Sequence, residues 1–207
     1  MPISDYVDPK DSGSQSEILA VVGNEENAGG MCLMLSINWA INCSQPGAKA
    51  PNAVWADMRD NIKSKAGQAY LKQIGQQQVG YTRHFNTGGW LQSATDLVDL
   101  GSRKARQAKK LTPDDSYTTK TGMAERIVSG LAASTTTPPL VLIIFKCRGG
   151  AHGIAAAKVG DVHYIFDPNY GVMIVDPAKS RSLDGATARL FDDYGISSGI
   201  VVSIVTG

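Results

Sequence analysis

Few side chains in this 207-residue sequence can do chemistry near neutral pH: three histidines, His84, His152 and His163, and three cysteines, Cys32, Cys43 and Cys147. One histidine can be tied to a carboxylate by geometry alone. Two strand-like runs, 152–159 and 162–167, flank Gly160-Asp161. Glycine followed by a polar residue at such a junction signals a type II′ hairpin. If the loop has two residues, Val159 faces Val162, and counting outward brings His152 opposite Asn169 and Ile154 opposite Asp167. Side chains alternate faces with period two, so His152 and Asp167 share a face as diagonal neighbours, roughly 7–8 Å apart between backbones. His163 lies four residues from Asp167 on one strand, about 13 Å away and out of reach. A one-residue slip of the loop would reverse the faces.

A His–Asp pair works on a nucleophile, and Cys32 has the best setting. It follows Gly29-Gly30 at the start of an apolar run in which Cys32, Leu35, Ser36, Trp39 and Cys43 repeat at helical spacing. A helix amino terminus stabilises a thiolate through its unpaired N–H groups and its dipole, and a nearby imidazolium adds to this. Gly30 would let a substrate backbone come close, beside an oxyanion hole built on the Cys32 N–H. Cys43 lies toward the far end of the same helix, about 16 Å away at 1.5 Å per residue, and reads as structural. Cys147, close to His152 in sequence, is the second candidate nucleophile, but no helix start supports it.

The elements that must position these residues fall into two parts. Residues 1–28 read as a polar arm, acidic and loose, with at most one short strand at Ile18-Leu19-Ala20-Val21-Val22. Residues 29–207 read as one domain. Its first half is helical: the Cys32 helix ended by Ser44-Gln45-Pro46-Gly47, a stretch from 54 to 71 interrupted at Gly67, a third opening at Gly88-Gly89-Trp90 and closing at Gly101, and a fourth over 123–133. After Thr135-Thr136-Thr137-Pro138-Pro139 the pattern turns extended. Strands are predicted over 140–145, 152–159, 162–167, 172–175 and 199–205, with a helix near 186–193. Helices first and antiparallel strands second make an α+β domain. Trp39 reads as core beneath the cysteine helix, Trp90 as an anchor at a helix start, His84 as an exposed loop residue, and Asp176 and Asp184 as turn residues.

Composition narrows the class. With 43% hydrophobic and 19% charged residues the chain is globular. Twenty Lys and Arg against nineteen Asp and Glu give a net charge of +1, too little for a global field that grips nucleic acid or membrane. There is no apolar run near 18 residues, no basic-then-apolar amino terminus, and no CxxC pair. These features point to a soluble protein from a reducing compartment, without a structural zinc or another cofactor. The acid-free run Arg103, Lys104, Arg106, Lys109, Lys110 reads as a solvated helical face, or more sharply as a local docking patch for an acidic partner or anionic lipid. No aromatic residue interleaves with it, as single-stranded nucleic acid would require.

The islands Gly30-Met31-Cys32-Leu33-Met34-Leu35-Ser36 with Trp39, Ala151-His152-Gly153-Ile154, and Phe166-Asp167-Pro168-Asn169-Tyr170-Gly171 resemble the YopT/AvrPphB family of bacterial effector cysteine proteases. The order Cys, His, Asp and the long-then-short spacing fit that family. The resemblance implies a papain-like fold in which Cys32 is the nucleophile, His152 the general base and Asp167 the orienting acid. Asn27 stands nearest the place of the polar oxyanion residue. It further implies a monomeric virulence effector, made in a bacterial cytoplasm, secreted into a host cell without a signal peptide, and cleaving a host protein. Some relatives process their own amino terminus, so the arm would be a remnant or a lid. The same triad serves deamidases, transglutaminases and acyltransferases. A peptidoglycan amidase shares the layout, and a non-catalytic binding module is the alternative from another class.

Overall fold

The computed structural model describes residues 2–23, 30–88, 106–110, 120–148, 150–196 and 198–206. Among the described residues seven strands form one antiparallel sheet: β1 (Val7–Ser12), β2 (Arg106–Lys110), β3 (Leu140–Cys147), β4 (Gly150–Val159), β5 (Val162–Asp167), β6 (Gly171–Val175) and β7 (Ser198–Thr206), in the order β1-β6-β5-β4-β3-β7-β2. Among the described residues six α-helices accompany it: α1 (Gln15–Val22), α2 (Cys32–Cys43), α3 (Pro51–Asp60), α4 (Lys65–Gly88), α5 (Lys120–Ala133) and α6 (Leu183–Tyr194). The architecture is the α+β arrangement expected, a helical part carrying Cys32 followed by a sheet carrying His152 and Asp167. Among the described residues no helix is long and apolar enough to cross a membrane.

Alternation along the central strands divides the core in two. Leu142, Ile144, Ala155, Ala157 and Phe166 face α1 to α4, where Trp39, Trp55, Leu71 and Ile74 are buried. Val141, Ile143, Phe145, Ile154 and Ile165 face α5 and α6, meeting Ile127, Leu131 and Leu190. Covered on both faces, β3 reads as a continuous apolar run, as a fully buried strand should. Trp39 is core as expected: wholly buried, stacked on Phe166 at 5.3 Å, its indole N–H donating to the Pro51 carbonyl at 2.9 Å.

Four local expectations are corrected. The segment taken for a loose arm is built into the domain. Ser14 caps α1 by accepting from the Ser16 N–H, and Ile18 and Val22, four residues apart, bury one face of a helix where a strand was expected. Ahead of α1, β1 edges the sheet against β6. The helical interruption falls at 61–64 rather than at Gly67, which lies within α4. Glycine is needed at 67 because a Cβ there would stand 2.3 Å from the Asn61 carbonyl oxygen. Next, α4 runs on through the stretch around His84, read as loop, and ends at Gly88, where a new helix was expected to begin. Glutamine-rich sequence without proline propagates a helix well, and Leu71, Ile74 and Gln78 keep one side of it buried. Finally, Arg106, Lys109 and Lys110 lie on a strand, β2, paired with β7 from Arg106↔Thr206 to Lys110↔Val202. β-Branched β7 offers a pairing edge there, and lysine is a usual residue on an outer strand. Arg103, Lys104, Trp90 and the rest of the third expected helix lie outside the described residues.

Candidate active site

The hairpin closes as the two-residue loop requires. Val159↔Val162 is followed by Lys158↔His163, Ala157↔Tyr164, Ala156↔Ile165 and Ala155↔Phe166. Gly160 has φ +58°, and it alone of the two loop residues takes a positive φ, the type II′ pattern. His152 near the start of β4 and Asp167 at the end of β5 therefore meet at one end of the sheet, with His152 Nε2 and Asp167 Oδ1 3.0 Å apart and both side chains buried. His163 pairs with Lys158 and stays away from the site.

Cys32 reaches this pair from the other side of the sheet, as the first residue of α2. Gly153 permits the approach: a Cβ at that position would lie 2.9 Å from the Leu33 Cα. Ser36 fastens the contact by donating to the Gly153 carbonyl at 2.9 Å. The Cys32 thiol makes a hydrogen bond with His152. Since Nε2 is committed to Asp167, the nitrogen left for the sulfur is Nδ1. Burial by itself would push the thiol up. The hydrogen bond and charge of His152, with a backbone hydrogen bond from Gly153, outweigh it and hold Cys32 below the ordinary thiol range. Burial likewise opposes charge on His152, but the Asp167 carboxylate and then the sulfur raise the imidazole well above its usual range. The two shifts together favour a thiolate–imidazolium pair.

The other cysteines differ. Burial drives Cys43 far up, with no partner acting against it. Cys147 is half-buried and also raised, by burial first and then by the negative charges of Cys32 and Asp167. Gly30 has φ +80° and sits immediately before the Met31 cap of α2. Asn27 and Gly29 lie outside the described residues. Asp176 caps a short 3-10 turn by accepting from the Ala178 N–H, while Asp184 lies in the first turn of α6. Among the described residues no cluster of three or more His, Cys, Asp or Glu side chains is arranged to hold a metal ion.

Tyr194, the last residue of α6, is a member of the site that sequence reasoning missed. Its ring stacks on His152 at 4.7 Å and 24° between planes, and its hydroxyl donates to Asp167, 3.0 Å from each carboxylate oxygen. Burial and then the Asp167 charge hold the phenol far above its usual range, so it stays a donor. Asp167 accepts a further bond from the Asn169 N–H at 2.9 Å. No spacing rule connects residue 194 to 152. A cavity of about 840 Å³ lies at the far end of α2 between 43–51, 135–139 and 158–160. It contains none of these groups, and the chemistry rather than concavity locates the site.

Comparison with known proteins bears on this geometry. A family model described as Yersinia/Haemophilus virulence surface antigen (Peptidase_C58) matches residues 14–195. The crystal structure of the Pseudomonas avirulence protein AvrPphB is similar over 98% of both chains, with TM-score 0.61 and 15% identity. PatoxP, a cysteine protease-like domain of the Photorhabdus asymbiotica toxin PaTox, is similar over 92% of this chain and 56% of its own, with TM-score 0.42 and 9% identity. No curated protein matches.

Proposed function

Because the chain belongs to the Yersinia/Haemophilus virulence surface antigen family of peptidases, we propose that it is a thiol peptidase, a secreted effector that cleaves a peptide bond in a host protein. The observation that carries this reading is the buried relay Cys32–His152–Asp167, with the thiol lowered and the imidazole raised. The Cys32 thiolate attacks the carbonyl carbon, and the oxyanion that forms is met by the Cys32 N–H at the start of α2. His152 gives its Nδ1 proton to the leaving amine as the C–N bond breaks. Water then attacks the thioester, its proton passing to His152, and the tetrahedral intermediate expels the thiolate. Asp167, bonded to Nε2, holds the ring in place.

The decisive measurement is amino-terminus mapping of a host-cell lysate treated with the wild-type protein or with Cys32→Ala. New termini that appear only with the intact cysteine support peptide-bond cleavage. Their absence, together with mass shifts on side-chain amides or acyl acceptors, moves the chemistry to deamidation or acyl transfer. Absence of any Cys32-dependent product leaves the binding-module reading in its place.

A further inference from the structure

The site contains a second chain of hydrogen bonds that returns from Asp167 to the residue just before the nucleophile. Met31 N–H to Gln15 Oε1 is 2.8 Å, Gln15 Nε2 to Asn169 Oδ1 is 2.7 Å, and Asn169 Nδ2 to the Tyr194 hydroxyl is 2.9 Å. Tyr194 then donates to Asp167, which meets His152 Nε2. The Gln15 backbone N–H donates to the Pro168 carbonyl, tying the start of α1 to the turn after Asp167.

Chemistry sets the polarity of every link. A backbone N–H can only donate, so the Gln15 atom facing Met31 must be its oxygen. The other end of that amide is then the donor, and Asn169 must present its oxygen to it. Asn169 thereby turns its own NH₂ to the Tyr194 oxygen. The single hydroxyl proton of Tyr194 has only the carboxylate left. Asp167 receives it and accepts from His152 as well, which keeps a proton on Nε2 in every state and leaves Nδ1 as the nitrogen that exchanges protons with Cys32.

We propose that Gln15 is a positioning residue that orients this chain of bonds and so presents His152 to Cys32 through Nδ1. The proposal rests on the Cys32–His152 pair being the reacting one, and it gives the α1 segment a part in the chemistry. Gly30 fits beside it: a Cβ there would stand 3.1 Å from Gln15 Oε1, crowding the link.

The test is the rate at which iodoacetamide alkylates Cys32, followed by mass spectrometry of its peptide from about pH 5 to pH 9, which requires no substrate. Gln15→Glu retains an oxygen for the Met31 N–H but cannot donate to Asn169. The Asn169 amide then turns over, and the Tyr194 hydroxyl turns away from Asp167. Alkylation at about pH 6 is expected to fall about tenfold, the order of one hydrogen bond to a charged group. Uncharged Gln15→Met is expected to lose the same, which separates the missing bond from an added charge. Tyr194→Phe should lose a similar amount, and Gln15→Glu combined with Tyr194→Phe no more than either alone, since both break one chain. Asn169→Asp interrupts the next link and serves should the Gln15 variants fail to fold, as melting curves would show. Fast acid alkylation of wild type with unchanged rates in the folded variants overturns the positioning role alone, as does full additivity in the double variant. An ordinary thiol profile in wild type overturns the reacting pair and the positioning role together.

Discussion

Gly153→Ala should disable the site without touching a reacting group. Its Cβ would stand 2.9 Å from the Leu33 Cα, 2.9 Å from Cδ1 and 3.0 Å from Cβ, against an ordinary contact of 3.4 Å or more. The side-chain carbon can rotate away, but the Cα belongs to the backbone of α2. Relief therefore requires α2 and β4 to part by about half an ångström. Leu33 follows Cys32 and Gly153 follows His152, so the separation passes almost undiminished into the thiol–imidazole contact. Overpacking of this kind costs about 1–3 kcal/mol of stability. A misplacement of about 1 Å costs about a hundredfold in rate, so half of that corresponds to about tenfold. The assay is Cys32 alkylation at about pH 6 beside thermal unfolding. The expected result is a folded protein whose Cys32 labels about ten times more slowly than wild type, with its rate recovering toward alkaline pH as an ordinary thiol ionises. Wild-type labelling in a folded Gly153→Ala protein would refute the reasoning, because it would mean that α2 and His152 are not held by this contact.

Four further outcomes follow from the structure. The thiolate–imidazolium pair exists between the lowered Cys32 pKa and the raised His152 pKa, so wild-type alkylation should plateau across neutral pH, while His152→Ala shows a single rise near the ordinary thiol value of about 8.5. Stability carries the same signature. The His152 contribution is complete below its ordinary 6.5 and lost as pH rises through about 10, so the difference in unfolding free energy between wild type and His152→Ala should shrink across that window. Deleting residues 1–22 removes β1, Gln15 and the buried Ile3, Ile18 and Val22. At about 1.5–3 kcal/mol for each of those three side chains the loss approaches the stability of a whole domain, and circular dichroism should show a chain that does not fold cooperatively, where a removable lid would leave it intact. Trp39→Ala empties the space against Phe166 and drops the bond to Pro51; it should cost about 3–5 kcal/mol, lowering the melting temperature by about 6–20 °C.

The sheet was legible because its signals are local. Gly160-Asp161 sets a register, register sets faces, and the 152/167 diagonal follows from nothing more than period two. Helix α2 was equally open to reading, since its apolar face repeats within a dozen residues and Ser44 closes it. Long-range packing was not. Nothing near Asp5 or Asp8 announces that Val7 will pair with Met173, because an edge strand is defined by its partner and carries exposed polar residues like any loop. The basic run failed for a related reason. Arg106, Lys109 and Lys110 follow no apolar period, and only the free edge of β7 decides that they extend.

The site shows the same division at finer scale. Cys32, His152 and Asp167 have residue types that announce chemistry, so a distance rule was enough to join them. Gln15, Asn169 and Tyr194 are ordinary polar residues whose part comes from contact alone, and two of them lie at 154 and 25 residues from Asn169, the third. What links them physically is a shortage of freedom: a buried carboxylate must be satisfied from several directions. The donors that satisfy Asp167 are supplied by the turn that follows it and by the end of α6, and α1 reaches it through Asn169. The amino-terminal segment is thus bound to the nucleophile and to the acid at once. Any cleavage between α1 and Gly30 would leave Gln15 on the far side of the cut from Met31, held to the site by β1, by the buried face of α1 and by its bonds to Asn169 and Pro168. A nicked protein that keeps fast Cys32 alkylation would therefore have to retain its amino-terminal fragment, and removing that fragment under mild denaturation should slow alkylation in parallel with its release.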